Sequence, residues 1–482
     1  MVNALAIDIG STSIRTALVD ERGTVTHVHH QRLTVRTREP GEVELDAMEI
    51  VDVARFLALK TLSDGGPCSV VGITNQRATT IVFDPLTGNA VGPALSWQDL
   101  RTVIDCLILQ SEGLRLAPNQ SATKVKWLLN AAGVETKTLR FATIETWVAW
   151  HLSEGATFVT DRSNAAVTGL VNLTLDGWDQ DTLSILGLSE DLFPTIVDTM
   201  GLFGLASALP GSPPIVALVG DQSASLFGQS CVRKGAKITF GTGAMLDMIV
   251  GSDAPSSLNR FPSGCFPIIA RSSAAEIVWA IEGIVLSAGT CVEWLEDLGL
   301  VASPEESSDL AASVDGSDGV SFVPAFSGLG TPQWDFGARG GFFGLTRGST
   351  RAHLVRAVLE GVAHRGADLL DAAENEIGST LSELRIDGGM SANQFFVQRL
   401  ADFSGHVVSV SSEREATTRG VGLMALVSAG HLSLANVEAL WSPAQIATPS
   451  LDEKDRLMAR ASWSQSLLRA EKSIPELSGV TF

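Results

Sequence analysis

Residues 3–20 read Asn-Ala-Leu-Ala-Ile-Asp-Ile-Gly-Ser-Thr-Ser-Ile-Arg-Thr-Ala-Leu-Val-Asp. Ala4 to Ile9 is an apolar strand with a single acid, Asp8, near its end. Gly10, Ser11, Thr12 and Ser13 make a small polar turn, and Ile14 to Val19 returns as a second strand. Such a turn offers backbone N–H groups and hydroxyls with no bulky side chain in the way, which suits a polyphosphate. Asp8 stands where a metal-bound water could be held. Arg15 lies just past the turn, where a transferring phosphoryl group needs positive charge.

A Gly-Ser-Thr turn alone also serves as a plain hairpin connection. A second copy changes the reading. Residues 237–250 read Lys-Ile-Thr-Phe-Gly-Thr-Gly-Ala-Met-Leu-Asp-Met-Ile-Val, again strand, glycine turn, strand. Two phosphate-type hairpins half a chain apart predict two related lobes, each presenting a turn to one nucleotide.

At 482 residues, 45% of them hydrophobic, the chain is long enough for more than one domain with substantial cores. A formal net charge of −20 argues against a nucleic-acid partner and against anionic membrane surfaces. A nucleotide must then be held by local N–H groups, a few cations and Mg²⁺ against the overall field. No basic leader with an apolar core opens the chain, and no apolar run approaches membrane-span length, so the expected location is the cytoplasm. Cys68, Cys106, Cys231, Cys265 and Cys291 are scattered and form no C-x-x-C pair, which fits structural thiols in a reducing compartment and no zinc site. The pair His29-His30 reads as part of a solvated strand or turn.

Short apolar runs alternate with helical patterns, which predicts an α/β fold. The strands are expected at Val70–Thr74, Thr80–Phe83, Ile215–Val219, Lys237–Phe240 and Leu384–Ile386. The clearest helix covers Ala352–Asn375, with Leu354, Val358 and Val362 at four-residue spacing. Gly361 and Gly366 inside it point to close backbone packing. Asp161–Asn164 and Asp176–Asp179 read as turns, Pro304–Gly319 as a Ser/Asp/Glu-rich surface loop, and Leu451–Lys472 as a charged packing helix. Gly201–Pro214 is rich in glycine, proline and small residues, and the domain boundary is placed just after the strand that follows it. This gives an N-terminal domain over 1–229, expected to hold substrate and catalytic base, and a C-terminal domain over 230–482, expected to bind nucleotide.

Asp221 follows the apolar strand 215–219 and Gly220 and precedes a helix start. An acid at that position faces the crevice of an open α/β sheet and is the candidate general base toward a substrate hydroxyl; the competing reading is a helix cap. Asp387-Gly388-Gly389 ends another strand, where glycines let a purine or ribose lie against backbone and Asn393 could bond either. Thr417–Gly422 looks like the start of a helix with a close-packed glycine, more hinge than ligand site. Gly72-Ile-Thr-Asn-Gln-Arg77 and Ser96-Trp-Gln-Asp99 supply hydrogen-bonding groups and an aromatic wall, the pair of features a sugar or polyol needs.

These stretches together resemble the FGGY carbohydrate kinases, and within them most closely the glycerol kinase branch. The matching segments are 7–13, 72–77, 97–99, 220–222, 240–243, 322–330, 338–340, 344–348 and 387–389, in family order across nearly the whole chain. The resemblance implies two ribonuclease-H-like lobes of the actin/hexokinase type closing over ATP·Mg²⁺ and a polyol or sugar. It assigns Ser11, Thr12 and Ser13 to the phosphate turn, Arg15 to the transferred phosphoryl group, and Thr242, Gly243, Gly289, Gly389 and Asn393 to the nucleotide. It assigns Asp221 to the base and Arg77, Trp97 and Gln222 to the substrate; Asp8, read from the hairpin, is the candidate that orients the metal through water.

The chain departs from the glycerol pattern at Ala78, where the family has Glu, and at Asn119, where it has Tyr. A longer polyol or a ketose is therefore the alternative substrate, and a catalytically silent sugar-binding protein a further one. Glu293 stands where an uncharged nucleotide contact is usual, and 201–214 lacks the Gly-rich basic loop that serves as a regulatory site in some relatives. An ATPase of the same fold would have no need of Arg77, Trp97 and Asp221 around a polyol. No G-x-G-x-x-G follows the first strand, which speaks against a dehydrogenase. A homodimer stays open as an assembly.

Overall fold

The structure is a computed structural model and describes residues 2–133 and 138–480. Two mixed sheets dominate it. The first contains β1 (Asn3–Ile9), β2 (Ser13–Asp20), β3 (Val25–Arg32), β4 (Val70–Asn75), β5 (Met200–Leu205) and β6 (Pro214–Gly220), in the order β5-β6-β4-β1-β2-β3. The second contains β7 (Ala236–Phe240), β8 (Ala244–Gly251), β9 (Phe266–Ser273), β10 (Glu276–Val285), β11 (Glu383–Asp387), β12 (Val407–Ser411) and β13 (Pro443–Ala447), in the order β9-β10-β8-β7-β11-β12-β13.

The two sheets share one plan. Each starts with a hairpin, β1/β2 or β7/β8, whose second strand carries a further antiparallel neighbour, β3 or β10. On its other side each hairpin's first strand pairs in parallel with a later one, β4 or β11, and that one with β6 or β12. The duplicated glycine hairpins thus mark duplicated lobes. The expected two-lobed α/β architecture is what the chain adopts.

The helices fill the faces. Helix α1 (Ala47–Gly65) covers one face of the first sheet through Ile50, Ala54 and Leu57. Helix α2 (Asp221–Gly228) leaves β6 and lies between the sheets, touching β8 and β9. Helix α3 (Gly289–Asp297) begins beside the second hairpin. After α4 (Glu306–Ala312), the long α5 (Arg351–Ile377) and α6 (Gln394–Ser404) bury Val358, Val362, Leu369 and Leu400 against the second sheet. Gly361 and Gly366 meet their expectation: a Cβ on the first would stand 2.1 Å from the Phe322 carbonyl oxygen, and one on the second 2.8 Å from Leu400.

Helix α7 (Ala416–Ser428) lies far along the chain yet packs on the first sheet. Val421, Met424 and Ala425 share one core with Ala4, Ala6, Val19 and Val70. It crosses α2 at two glycines. A Cβ on Gly228 would come 1.8 Å from the Ala416 carbonyl oxygen, and one on Gly420 1.8 Å from that of Ala224. The helices therefore touch backbone to backbone. Helix α8 (Glu453–Ala470) falls within the charged helix expected over 451–472 and packs through Trp463, Leu467 and Ala470.

Two local expectations are corrected. The segment 304–319 holds α4, with Ser307 and Ala311 buried, because its serines bond α6 rather than solvent. Asp161–Asn164 is the end of a short strand and the start of the helix Arg162–Ala165, which Asp161 caps by accepting from Ser163 N–H. His29 lies in β3 and pairs with Asp64 at 3.0 Å.

Candidate active site

The parallel strands of the first sheet end level with one another: Ile9 pairs with Asn75, and Asn75 with Gly220. Their last residues and the turns that follow deliver Asp8, Gln76, Arg77 and Asp221 to one place. Asp8 and Arg15 face each other across β1 and β2. Arg15 Nη1 lies 3.9 Å from Asp8 and 2.7 Å from Glu415, the residue before α7. Thr418, on the first turn of α7, donates its hydroxyl to Asp8 at 2.9 Å. Burial pushes the Asp8 carboxyl up to about 6, against the pull of Thr418 and Arg15.

Asp221 is the first residue of α2, whose cap is Gly220, so it is not the N-cap. Its Oδ1 accepts from Gln222 N–H at 2.9 Å and lies 3.5 Å from Arg77 Nε. Burial holds this carboxyl above its ordinary value, while Arg77 opposes the shift. The Arg77 stem crosses directly over Gly220, where a Cβ would stand 2.5 Å from Arg77 Cδ. This explains why glycine precedes the acid.

Sequence reading missed the other side of the cluster. Arg77 Nη2 donates to Glu282 on β10 at 2.5 Å. Lys237 Nζ on β7 donates to Gln222 Oε1 at 2.6 Å and pairs with Asp247 on β8 at 2.8 Å. Lys237, Asp247 and Glu282 are register partners across three adjacent strands, so they form one row on one face of the second sheet. Burial raises the Glu282 carboxyl, opposed by Arg77. The only signal in the sequence was a charge inside each of three apolar strands.

Trp97 stands beside the first hairpin, and its indole N–H donates to the Ser11 hydroxyl at 3.2 Å. Behind it Lys124 is fully buried and donates to the Ser96 carbonyl at 2.6 Å, with burial pushing its amine down to about 7. Ala78 is buried at φ 61°, in the left-handed region. Asn119 is exposed.

At the second hairpin Gly241 and Thr242 are exposed. Gly289 N–H donates to the Gly241 carbonyl at 2.8 Å, and a Cβ on Gly289 would stand 2.5 Å from that oxygen. A Cβ on Gly243 would stand 2.4 Å from the Val285 carbonyl oxygen. Gly388, at φ 88°, packs on Phe240, which leaves Gly389 exposed with open space around it. Asn393 has its amide engaged already: Oδ1 caps α6 through Phe396 N–H, and Nδ2 donates to Ser307. Glu293 is exposed on α3. Ser13 and Thr12 complete the first turn, where Gly10 N–H closes on the Ser13 carbonyl at 2.9 Å.

Twin lobes with a glycine hairpin in each, and an acid beside an arginine where the two sheets meet, fit the class that the comparisons show, a phosphotransferase with an alcohol acceptor. Residues 3–228 match the N-terminal domain of the FGGY family of carbohydrate kinases, and residues 236–429 its C-terminal domain. The glycerol kinase of Rhodopirellula baltica is 37% identical over 98% of this chain and 91% of its own length. That of Aromatoleum aromaticum is 38% identical over 97% and 98%. The crystal structure of Plasmodium falciparum glycerol kinase with ADP superposes with a TM-score of 0.90 at 29% identity, covering 98% of both chains. A xylulose kinase from Lactobacillus acidophilus shares the fold, with a TM-score of 0.85 at 21% identity over 96% of this chain and 97% of its own. The chain belongs to the FGGY family of carbohydrate kinases.

Proposed function

We propose that the protein transfers the γ-phosphoryl group of ATP to a hydroxyl of glycerol. The observation that carries this is the cluster of Asp221, Arg77 and Gln222 at the level strand ends of the first sheet, clasped by the second sheet's charges. Its relatives at 36–38% identity over nearly the full length are named glycerol kinases, which favours the three-carbon polyol over a ketose.

In this reading Asp221 takes the hydroxyl proton as that oxygen attacks phosphorus. Its raised basicity, from burial, suits the task. Arg77 and Gln222 orient the polyol, and Trp97 forms its apolar wall. Arg15 and the N–H groups of Ser11, Thr12 and Ser13 face the phosphates; Thr242, Gly243, Gly289 and the open ground at Gly389 receive the rest of the nucleotide. Asn393 serves that end by holding α6 and α4 together.

Among the described residues no group of three or more His, Cys, Asp or Glu side chains could hold a metal ion. The single buried carboxylate of Asp8 therefore fits Mg²⁺ held mainly through water and the phosphates, where the ion would offset phosphate charge. Exclusion of water by the lobes limits wasteful hydrolysis. We place the protein in the cytoplasm. All five cysteines are free, and no helix among the described residues is long and apolar enough to cross a membrane.

A coupled ATP-consumption assay across C3 to C6 polyols and ketoses, with product identification, tests this. Glycerol is expected to give the highest kcat/KM. A ketose or tetritol turned over more efficiently overturns the substrate, and nucleotide hydrolysis without a phosphorylated product overturns the kinase reading.

A further inference from the structure

Arg77 is shared between two acids, and unequally. Its terminal Nη2 sits 2.5 Å from Glu282, while only Nε, at 3.5 Å, reaches Asp221. The first of these contacts joins an arginine of the first lobe to a strand of the second. Glu282 has little solvent around it, with its side chain 7% exposed. Its place is fixed by register: it stands opposite Asp247, which stands opposite Lys237. Two like charges opposite each other are unfavourable on a sheet unless cations meet them. Here Lys237 meets one end of the row and Arg77 the other.

We infer that Glu282 is a positioning residue for phosphoryl transfer: by holding the Arg77 guanidinium, it keeps that charge from closing on Asp221 and so preserves the base. This rests on the reading of Asp221 as the base. A full Arg77–Asp221 ion pair would lower the carboxyl's proton affinity and blunt it as a proton acceptor. The stem of Arg77 lies over Gly220, where a Cβ would stand 2.5 Å from its Cδ, and this sets the guanidinium between the two acids. The charged groups facing Asp221 are Arg77 after β4, Lys237 on β7, Asp247 on β8, Glu282 on β10 and Asp8 on β1. Removing the Glu282 charge acts on Asp221 twice in one direction: a nearby anion is lost and the cation moves closer. The same row also holds Gln222 through Lys237, so a strand face of one lobe sets two substrate-facing side chains of the other.

The test uses the full chain and three variants, with kcat/KM for the polyol measured against pH and ADP affinity measured by titration calorimetry. Glu282→Gln is expected to move the acid limb of the profile down by about one pH unit and to lower kcat at neutral pH about tenfold. ADP affinity should stay within about twofold of wild type, as the nucleotide turns are untouched. Glu282→Asp keeps the charge and is expected to retain the wild-type limb. An acid limb that Glu282→Gln leaves in place, or moves up, overturns the inference. Should Glu282→Gln fail to bind ADP, Glu282→Asp carries the test, and a limb shifted down in that charge-retaining variant overturns it. Asp221→Asn separates the two readings: if it turns over normally, the base assignment falls; if it is inactive while Glu282→Gln behaves as wild type, only the role of Glu282 falls.

Discussion

The indole N–H of Trp97 is bonded to the hydroxyl of Ser11 at 3.2 Å. A side chain proposed as the polyol's wall is thus fastened to the turn proposed for the triphosphate, and the two binding events share one mechanical part. Trp97→Phe keeps the ring but removes the donor. A net hydrogen bond is worth about 0.5–1.5 kcal/mol, or roughly two- to tenfold in binding. We expect KM to rise for both ATP and polyol in an initial-rate matrix. A rise confined to the polyol reduces Trp97 to a wall.

Asp221→Asn retains shape and the acceptor for Gln222 N–H but cannot take a proton. The expected loss in kcat is about 10²–10⁴, with ATP affinity kept. Single-turnover rates and nucleotide titration measure the two separately.

Ala78 already occupies left-handed backbone at φ 61°. Ala78→Glu therefore adds little new backbone strain, and it restores the carboxylate of the glycerol pattern. A hydrogen bond to a charged acceptor contributes about 1.5–3 kcal/mol, so kcat/KM for glycerol should rise about ten- to a hundredfold. Ala78→Gly tests the strain itself. Relief of about 1–2 kcal/mol, less glycine's entropic cost of about 0.5–1 kcal/mol, predicts a small rise in Tm.

Gly420→Ala places a methyl 1.8 Å from the Ala224 carbonyl oxygen. Overpacking of this kind costs about 1–3 kcal/mol or more, and Tm should fall by several degrees. Gly316→Ala, whose nearest neighbour would be 3.9 Å away, is the control, expected within about 0.5 kcal/mol of wild type.

Glu145 is fully buried among Thr143, Thr146 and Thr160. Burial, with Asp161 nearby, raises its carboxyl from 4.5 to about 8. The native state then holds a proton that the unfolded chain releases, so stability falls as pH rises through that window. Thermal melts from pH 5 to 9 should show Tm declining, and Glu145→Gln should flatten the decline. An equal decline in the variant would place its origin elsewhere.

Much of this was legible in the chain. The hairpins at 3–20 and 237–250, the strand leading to Asp221 and the long helix α5 follow from alternation and helical spacing, since each is decided by residues close in sequence. Glu282, Asp247 and Lys237 were not, because a single charge in an apolar strand acquires its meaning from the neighbouring strand. Thr418 was missed for a similar reason: its partner is Asp8, across the length of the chain. Helix α4 hid in a segment whose serines and acids read as solvent-facing, although two of those serines bond α6. The two departures from the glycerol pattern, Ala78 and Asn119, were visible at once, but the left-handed backbone at Ala78 needed coordinates.

Helix α7 has a bearing on how the protein is made. The strands of the first sheet are complete at Gly220, yet the helix that covers Ala4, Ala6, Val19 and Val70 begins at Ala416. A chain synthesised from its N-terminus holds that apolar face without α7 until strands β7 to β12 of the second lobe have been made. The lobe begun first waits on a helix that follows most of the other.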